Sequence, residues 1–324
     1  MANILKLPDV WRLIRELDLE SIRRDAEGRF RLVVLSEAME DAETVAALLS
    51  GGPVHPWIEV RTPADLGRDD RATLTAAFAV TDQPALTPSA DTAIQRLSRA
   101  GVPVVTLVHG SGRPVDAVAR AGETARVVVP ALDDATVEPL GAALARAVPT
   151  GLRLALARQL PPVREAVFDL LIEETAKANA TYAFTTAMAE AVPVLDLPLN
   201  LADILVLTKN QLLMGYKIAL GAGKSGRARD VIGEVVGVVG GGFLFRQAAR
   251  SLIGLIPMAG LIPKVAIAYT GTWAIGRAVV VWATQGQRVS PANLRRLSRD
   301  AADRGRAFAR GLLSDRRGRS ASAQ

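Results

Sequence analysis

Leu201–Leu220 (LADILVLTKNQLLMGYKIAL), Val231–Gly242 (VIGEVVGVVGGG) and Leu252–Ala278 (LIGLIPMAGLIPKVAIAYTGTWAIGRA) together decide the fold class of this chain. The stretch is apolar and glycine-rich and shows no strand alternation. Leu201, Ile204, Leu205, Thr208, Leu212 and Tyr216 fall along one side of a helix. Helices are expected over 201–220, 231–255 and 263–283, around a break at Pro257–Pro263. Such a segment buries itself in helix–helix contacts and brings little chemistry with it.

Working outward, residues 152–191 also read as helix, broken at Leu160–Pro161–Pro162 because proline disfavours helix in the residue before it. Pro193 and Pro198 bracket a turn. A last helix is expected over Pro291–Leu312, with Ser314–Gln324 as a basic, disordered end. The first half reads differently. Phe30–Leu35, Ala76–Val80, Val102–Val108 and Arg126–Val129 are short, β-branched apolar runs of the kind buried on both faces of a parallel sheet. Helical stretches at Ala38–Leu49, Ser89–Ala100, Arg113–Ala121 and Asp134–Ala147 alternate with them, and Trp57–Val60 adds an edge strand. This alternation implies a doubly wound α/β domain over 29–150. An apolar helical domain follows over 151–287, then a basic helix and tail over 288–324.

The 324 residues suffice for two domains with real cores. Cysteine is absent, which removes disulfides and thiolate chemistry. The two histidines, His55 and His109, are too few for a multi-histidine metal site. The net charge of +6 is uneven: Arg288–Gln324 holds ten arginines and three aspartates, or +7, so the rest of the chain is close to −1. The basic character belongs to the tail. Trp11–Leu17 alternates charged and apolar residues and is not a signal peptide. With Asp9 as N-cap, Val10, Leu13, Ile14 and Leu17 describe an amphipathic helix within 1–28.

The layout of the α/β half resembles an Era-like small GTPase: strand, helix, a strand ending AVTD, helix, VPVVTLV, then VVVPALDD before a last helix. The resemblance implies a phosphate loop after the first strand. That loop needs glycines for its backbone N–H groups and a lysine for charge. The residues found are Ser36-Glu37-Ala38-Met39-Glu40-Asp41-Ala42-Glu43-Thr44, whose carboxylates repel phosphate. His109-Gly110-Ser111-Gly112 stands where a guanine-reading NKxD motif belongs, and Pro130-Ala131-Leu132 replaces the next motif. The expected domain is therefore a degenerate P-loop GTPase-like fold without nucleotide, or a different doubly wound domain that never bound GTP. Gly221-Ala222-Gly223-Lys224-Ser225 ends like a Walker loop, but it follows a helix and reads as a helix C-cap. No partner for His109 is visible in sequence, His55 reads as loop, and Glu173-Glu174 reads as a solvated helix face.

The helical half resembles the bacterial helical domain of unknown function that often follows Era-like GTPase domains. LADILVLTKNQLLMGYKIAL and LIPMAGLIPKVAIAYTGTWAIGRA carry this likeness, and the lead-in DVWRLIRELDLESIRRDAEGRFRLVVL extends it. It implies a GTPase-associated module and supplies no catalytic residues. Asp203, Asn210 and Lys217 share one face of an apolar helix and form either a polar seam for another helix or partner, or a solvated face. Gly233, Gly237 and Gly241 stack on one face and permit close helix packing. The candidate interaction residues are Asp203, Lys209, Asn210, Tyr216, Lys217, Gly233, Gly237, Gly241, Pro257 and Gly260. No catalytic, cofactor-binding or metal residue is assigned, and no cofactor is expected.

A membrane span needs about 20 largely apolar residues. The charge-free runs Val235–Phe245, Ser251–Pro263 and Val265–Gly276 are shorter, separated by Arg246, Arg250, Lys264 and Arg277. Interfacial or re-entrant helices stay open, with the arginine tail meeting anionic lipid; its basic end Ser314–Gln324 has no aromatics to stack on nucleic-acid bases. The sequence points to a non-enzymatic, cytoplasmic adaptor or scaffold, peripheral or re-entrant at the inner face of the membrane. In it the helical module mediates membrane-surface association, self-association or binding to a protein partner. The alternatives are a nucleotide switch with a non-standard site near Lys209, Asn210 and Lys224, and a fully soluble helical scaffold.

Overall fold

A computed structural model describes residues 18–67, 73–83, 85–110, 118–189, 201–239, 261–287 and 289–321. They form two compact units, one over Ser21–Leu170 and one from Leu171 onward together with residues 18–20. The boundary falls within one long helix, later than the change of composition after Pro149. Leu154, Ala155, Leu156, Leu160 and Val163 are buried within the first unit, so it keeps the two helical segments after Pro149.

The first unit is a five-stranded sheet: β1 (Leu32–Leu35), β2 (Ile58–Arg61), β3 (Ala76–Thr81), β4 (Val104–His109) and β5 (Ala125–Val129). The order is β2-β1-β3-β4-β5, and every neighbouring pair is parallel. Leu32 stands opposite Ile58 on one side and Ala76 on the other. All four residues of β1 are buried, as a continuous apolar run demands between two helix layers. β2 takes the edge, where Glu59 lies between Arg31 and Arg61; charged side chains blunt an exposed edge. The helices are α1 (Leu19–Ala26), α2 (Met39–Ser50), α3 (Pro88–Arg99), α4 (Val137–Ala147), α5 (Arg153–Gln159) and the start of α6 (Arg164–Ala189). α3 begins at a Thr87 cap, whose Oγ1 accepts from the Ala90 N–H, with Pro88 in its first turn. The helix expected at 113–121 and the one at 9–17 fall almost wholly outside the described residues, and 118–120 are not helical.

The second unit is helical: the rest of α6, then α7 (Leu201–Gly221), α8 (Ala228–Val239), α9 (Leu261–Gln285) and α10 (Pro291–Ala321). α9 packs against α7, α8 and α10. α10 corrects the sequence reading of a disordered end after Ser314, because the helix runs to Ala321. Alanine and arginine are good helix formers, and Ala301, Ala302, Gly305 and Ala309 seat it on its neighbour.

Among the described residues, helices approach closely at glycines other than Gly233 and Gly237. A methyl group on Gly276 of α9 would stand 2.6 Å from Ile172 Cγ1 of α6. One on Gly215 of α7 would stand 2.6 Å from Val235 Cγ1 of α8. One on Gly305 of α10 would meet Ala266 O and Thr270 Oγ1 of α9 at 3.0 Å. By contrast, nothing lies within 4 Å of such a group at Gly233 or Gly237, and Gly241 lies outside the described residues.

Lys264–Gln285 is one helix long and apolar enough to cross a membrane by length and composition, which the charge-free runs did not predict. Its apolar surface is already used: 72% of its most apolar stretch is buried inside the protein. Among the described residues the large exposed apolar side chains are Met39, Val54 and Val118, all outside the helical unit.

Candidate functional site

In a doubly wound sheet, ligands lie outside the carboxyl ends of the strands, where the strand order reverses. Here β2 departs to one side of β1 and β3 to the other, so the reversal lies between β1 and β3. A small cavity of about 90 Å³ opens there, lined among others by Ser36, Glu37, Asp41, Asp82 and Thr87. The residues at this reversal belong to the acidic turn and first helical turn, Ser36–Asp41, that follow β1.

Each side chain has a local assignment. Ser36 is buried, and its Oγ accepts from the Ala38 N–H at 3.2 Å, tightening the turn into α2. Glu37 accepts from Thr87 Oγ1 at 2.8 Å and from Ser89 Oγ, which ties it to the N-terminus of α3. Glu40 and Asp41 occupy the first turn of α2. A helix N-terminus attracts anions, but this one already has its own carboxylates beside it. An incoming phosphate would meet the carboxylates of Glu37, Asp41 and Asp82, which all line this cavity.

Sequence reasoning left His109 without a partner, and the fold supplies one. His109 closes β4, and its Nε2 lies 3.0 Å from Asp41 Oδ2 at the start of α2. The pair is 68 residues apart in the chain, so only the strand order could have revealed it. It ties the turn after β1 to the end of β4. Among the described residues, no group of three or more His, Asp or Glu side chains could hold a metal ion. His55 is also engaged. Its Nδ1 accepts from the Trp57 N–H at 3.2 Å, and its ring stacks on Phe30.

The segment after β5 is self-satisfied as well. Asp133 and Thr136 form a capping box, and Thr136 Oγ1 donates to Ala131 O at 2.8 Å.

No known protein family, curated protein or solved structure matches this chain. Its site must be read from its own geometry.

The helical unit holds the remaining candidates. Asn210 of α7 turns inward and donates through Nδ2 to Asn179 Oδ1 of α6 at 2.7 Å. Asn179 Nδ2 donates to Thr272 Oγ1 of α9 at 2.8 Å, and Gln211 Nε2 reaches the same oxygen at 3.1 Å. The seam that Asn210 marks is therefore occupied, at this position, by neighbouring helices of the same chain. Tyr216 is buried core, and Lys209 and Lys217 are half-buried. Asp203 lies in α7 with its side chain outside the described residues, as are Pro257 and Gly260 altogether. Glu173 corrects the expectation of a solvated face, because it accepts from Tyr269 OH and pairs with Lys177 at 3.1 Å. Burial, then the Glu173 carboxylate, pushes the Tyr269 hydroxyl pKa above its ordinary value.

Gly221–Ser225 is the C-cap that the sequence suggested. Gly223 has φ +92°, its N–H reaches Leu220 O, and the Lys224 N–H reaches Ala219 O at 2.9 Å. Lys224 Nζ lies 4.9 Å from the centre of the Trp282 ring. About 16 Å of helix, up to the end of α7 at Gly221, separates it from Asn210. The structure does not gather Lys209, Asn210 and Lys224 into one site.

Proposed function

We propose that the α/β unit is a nucleotide-free, GTPase-like docking platform, and that the helical unit is an adaptor module acting by self-association or at a membrane surface. The observation that carries this reading is the occupant of the β1–β3 crevice. Glu37 and Asp41 stand where a phosphate would need backbone N–H groups and a lysine, and both are engaged, with Thr87 and Ser89 and with His109. The strand-turn-helix path through this point is what an Era-like ancestor would leave after losing its phosphate loop. With the loop gone, the positioned charges that make up most of phosphoryl-transfer catalysis are missing.

The helical unit supports the second half of the reading. Asn179, Asn210, Gln211 and Thr272 bond to one another across three of its helices, and Gly233 and Gly237 leave open space on α8.

Ligand-linked stability tests the platform. A ligand bound only by the folded state at 100 times its Kd stabilises it by about 2.7 kcal/mol. Chemical unfolding of the full chain is expected to be unchanged by GTP or ATP with magnesium. A magnesium-dependent rise in the midpoint with either nucleotide would overturn the platform reading.

A further inference from the structure

We propose that one flank of α10 is an electrostatic dock for an anionic lipid surface. This deepens the membrane-surface part of the adaptor reading. α10 turns Ser298, Ala301, Ala302, Gly305 and Ala309 inward, and Phe308 lies 5.9 Å from the Tyr269 ring of α9. The apolar side of the described helix is thus spent inside the unit. An interfacial helix that inserts must offer lipid such a side. The outward side of α10 can meet lipid only by charge.

That charge is lopsided. At 3.6 residues per turn, Arg296, Arg299, Arg306 and Arg310 fall within about 80° of one another and run about 21 Å along the axis. Arg296, Arg299 and Arg310 are exposed, and Arg306 is half-buried. The one acid inside the stripe, Asp303, bonds to Arg306. Asp300 and Asp315 lie on the other flank, beside Arg304, whose guanidinium sits 5.7 Å from the Trp273 ring. The chain's positive charge concentrates in this region, and residues 316–321 continue it with Arg316, Arg317 and Arg319.

The one-sidedness selects the occupant. A nucleic-acid groove wraps an inserted helix, so Asp300, Asp303 and Asp315 would be driven against phosphates together with the arginines. A flat anionic sheet touches one flank and leaves Asp300 and Asp315 in water. Each arginine near such a surface strengthens binding about fivefold, and the attraction is screened by salt.

The test is flotation of the full chain with vesicles of neutral lipid alone or with about a third anionic lipid. The wild type is expected to float with anionic vesicles at low salt, to stay behind with neutral ones, and to be released at about 1 M salt, where the Debye length falls to roughly 3 Å. The triple variant Arg296→Glu, Arg299→Glu, Arg310→Glu is expected to lose binding at least tenfold. The equally charged control Arg96→Glu, Arg99→Glu, Arg146→Glu, on exposed helix positions of the α/β unit, is expected to stay within about twofold. Both variants must keep the wild-type unfolding midpoint. Salt-resistant or lipid-independent flotation, or equal loss in both variants, would overturn the proposal. So would retention of duplex DNA through the stripe without vesicle binding. Nucleotide binding has no bearing on this test, so it fails independently of the platform reading.

Discussion

Asn179 Nδ2 donates to Thr272 Oγ1 across 2.8 Å, joining α6 to α9 at positions where neither residue has any exposed surface. Thr272 Oγ1 also receives Gln211 Nε2 and donates to Ala268 O at 2.8 Å, and Asn179 Oδ1 receives Asn210. Removing one partner from such a network leaves the others desolvated and unpaired. Asn179→Ala and Thr272→Val are each expected to destabilise the protein by about 2 kcal/mol. Their double variant is expected to fall short of the sum by at least about 0.5 kcal/mol. Strict additivity in a chemical-unfolding cycle would mean that the two side chains are not coupled.

The glycines divide into two kinds, and substitution separates them. Gly276→Ala forces a methyl against Ile172 Cγ1 and is expected to cost about 1–3 kcal/mol, recovered in part by adding Ile172→Ala. Gly237→Ala meets open space in a helix and is expected to stabilise the single chain by up to about 1 kcal/mol. If Gly237 faces a second copy, the same change lowers association, read as a smaller mass in sedimentation at equal concentration.

Acid should weaken the α/β unit through two glutamates. At Glu59 the hydrogen bond from Arg31 is the main cause of a lowered pKa. At Glu123 burial alone would raise the pKa, but hydrogen bonds from Arg126 and the Arg120 N–H outweigh it, and the net shift is downward. A carboxyl whose pKa is lower folded than unfolded adds stability above its unfolded value, near 4.5, and loses it as pH falls through the folded one. Stability is expected to drop on acidification below about pH 4.5. Glu123→Gln should flatten that slope and cost about 3 kcal/mol at neutral pH, because Arg126 would stay buried without its anion. An unchanged slope in the variant would remove Glu123 from this account.

Much of the first unit was legible because its strands are buried on both faces. β1, β3, β4 and β5 each carry a short run of Val, Leu, Phe and Ala that no amphipathic helix would show, and even the edge strand at 58–61 could be read. The acidic turn at 36–41 could also be read, since it needs only local spacing. The His109–Asp41 pair could not, because its members meet only through strand order. The helical unit was less legible. Gly215, Gly276 and Gly305 look no different in sequence from Gly233 and Gly237, and only the crossing points of the helices distinguish them. The polar seam was visible as Asn210, but its partners Asn179 and Thr272 looked like ordinary helix residues.

Equilibrium dialysis of the purified full chain against labelled GTP and ATP, with and without magnesium, tests the central claim most directly. With Glu37 and Asp41 occupying the β1–β3 crevice, no saturable binding is expected up to about 1 mM nucleotide, the affinity at which binding falls to about 4 kcal/mol. Saturable, magnesium-dependent binding approaching one nucleotide per chain would contradict the account and return this fold to the nucleotide switches.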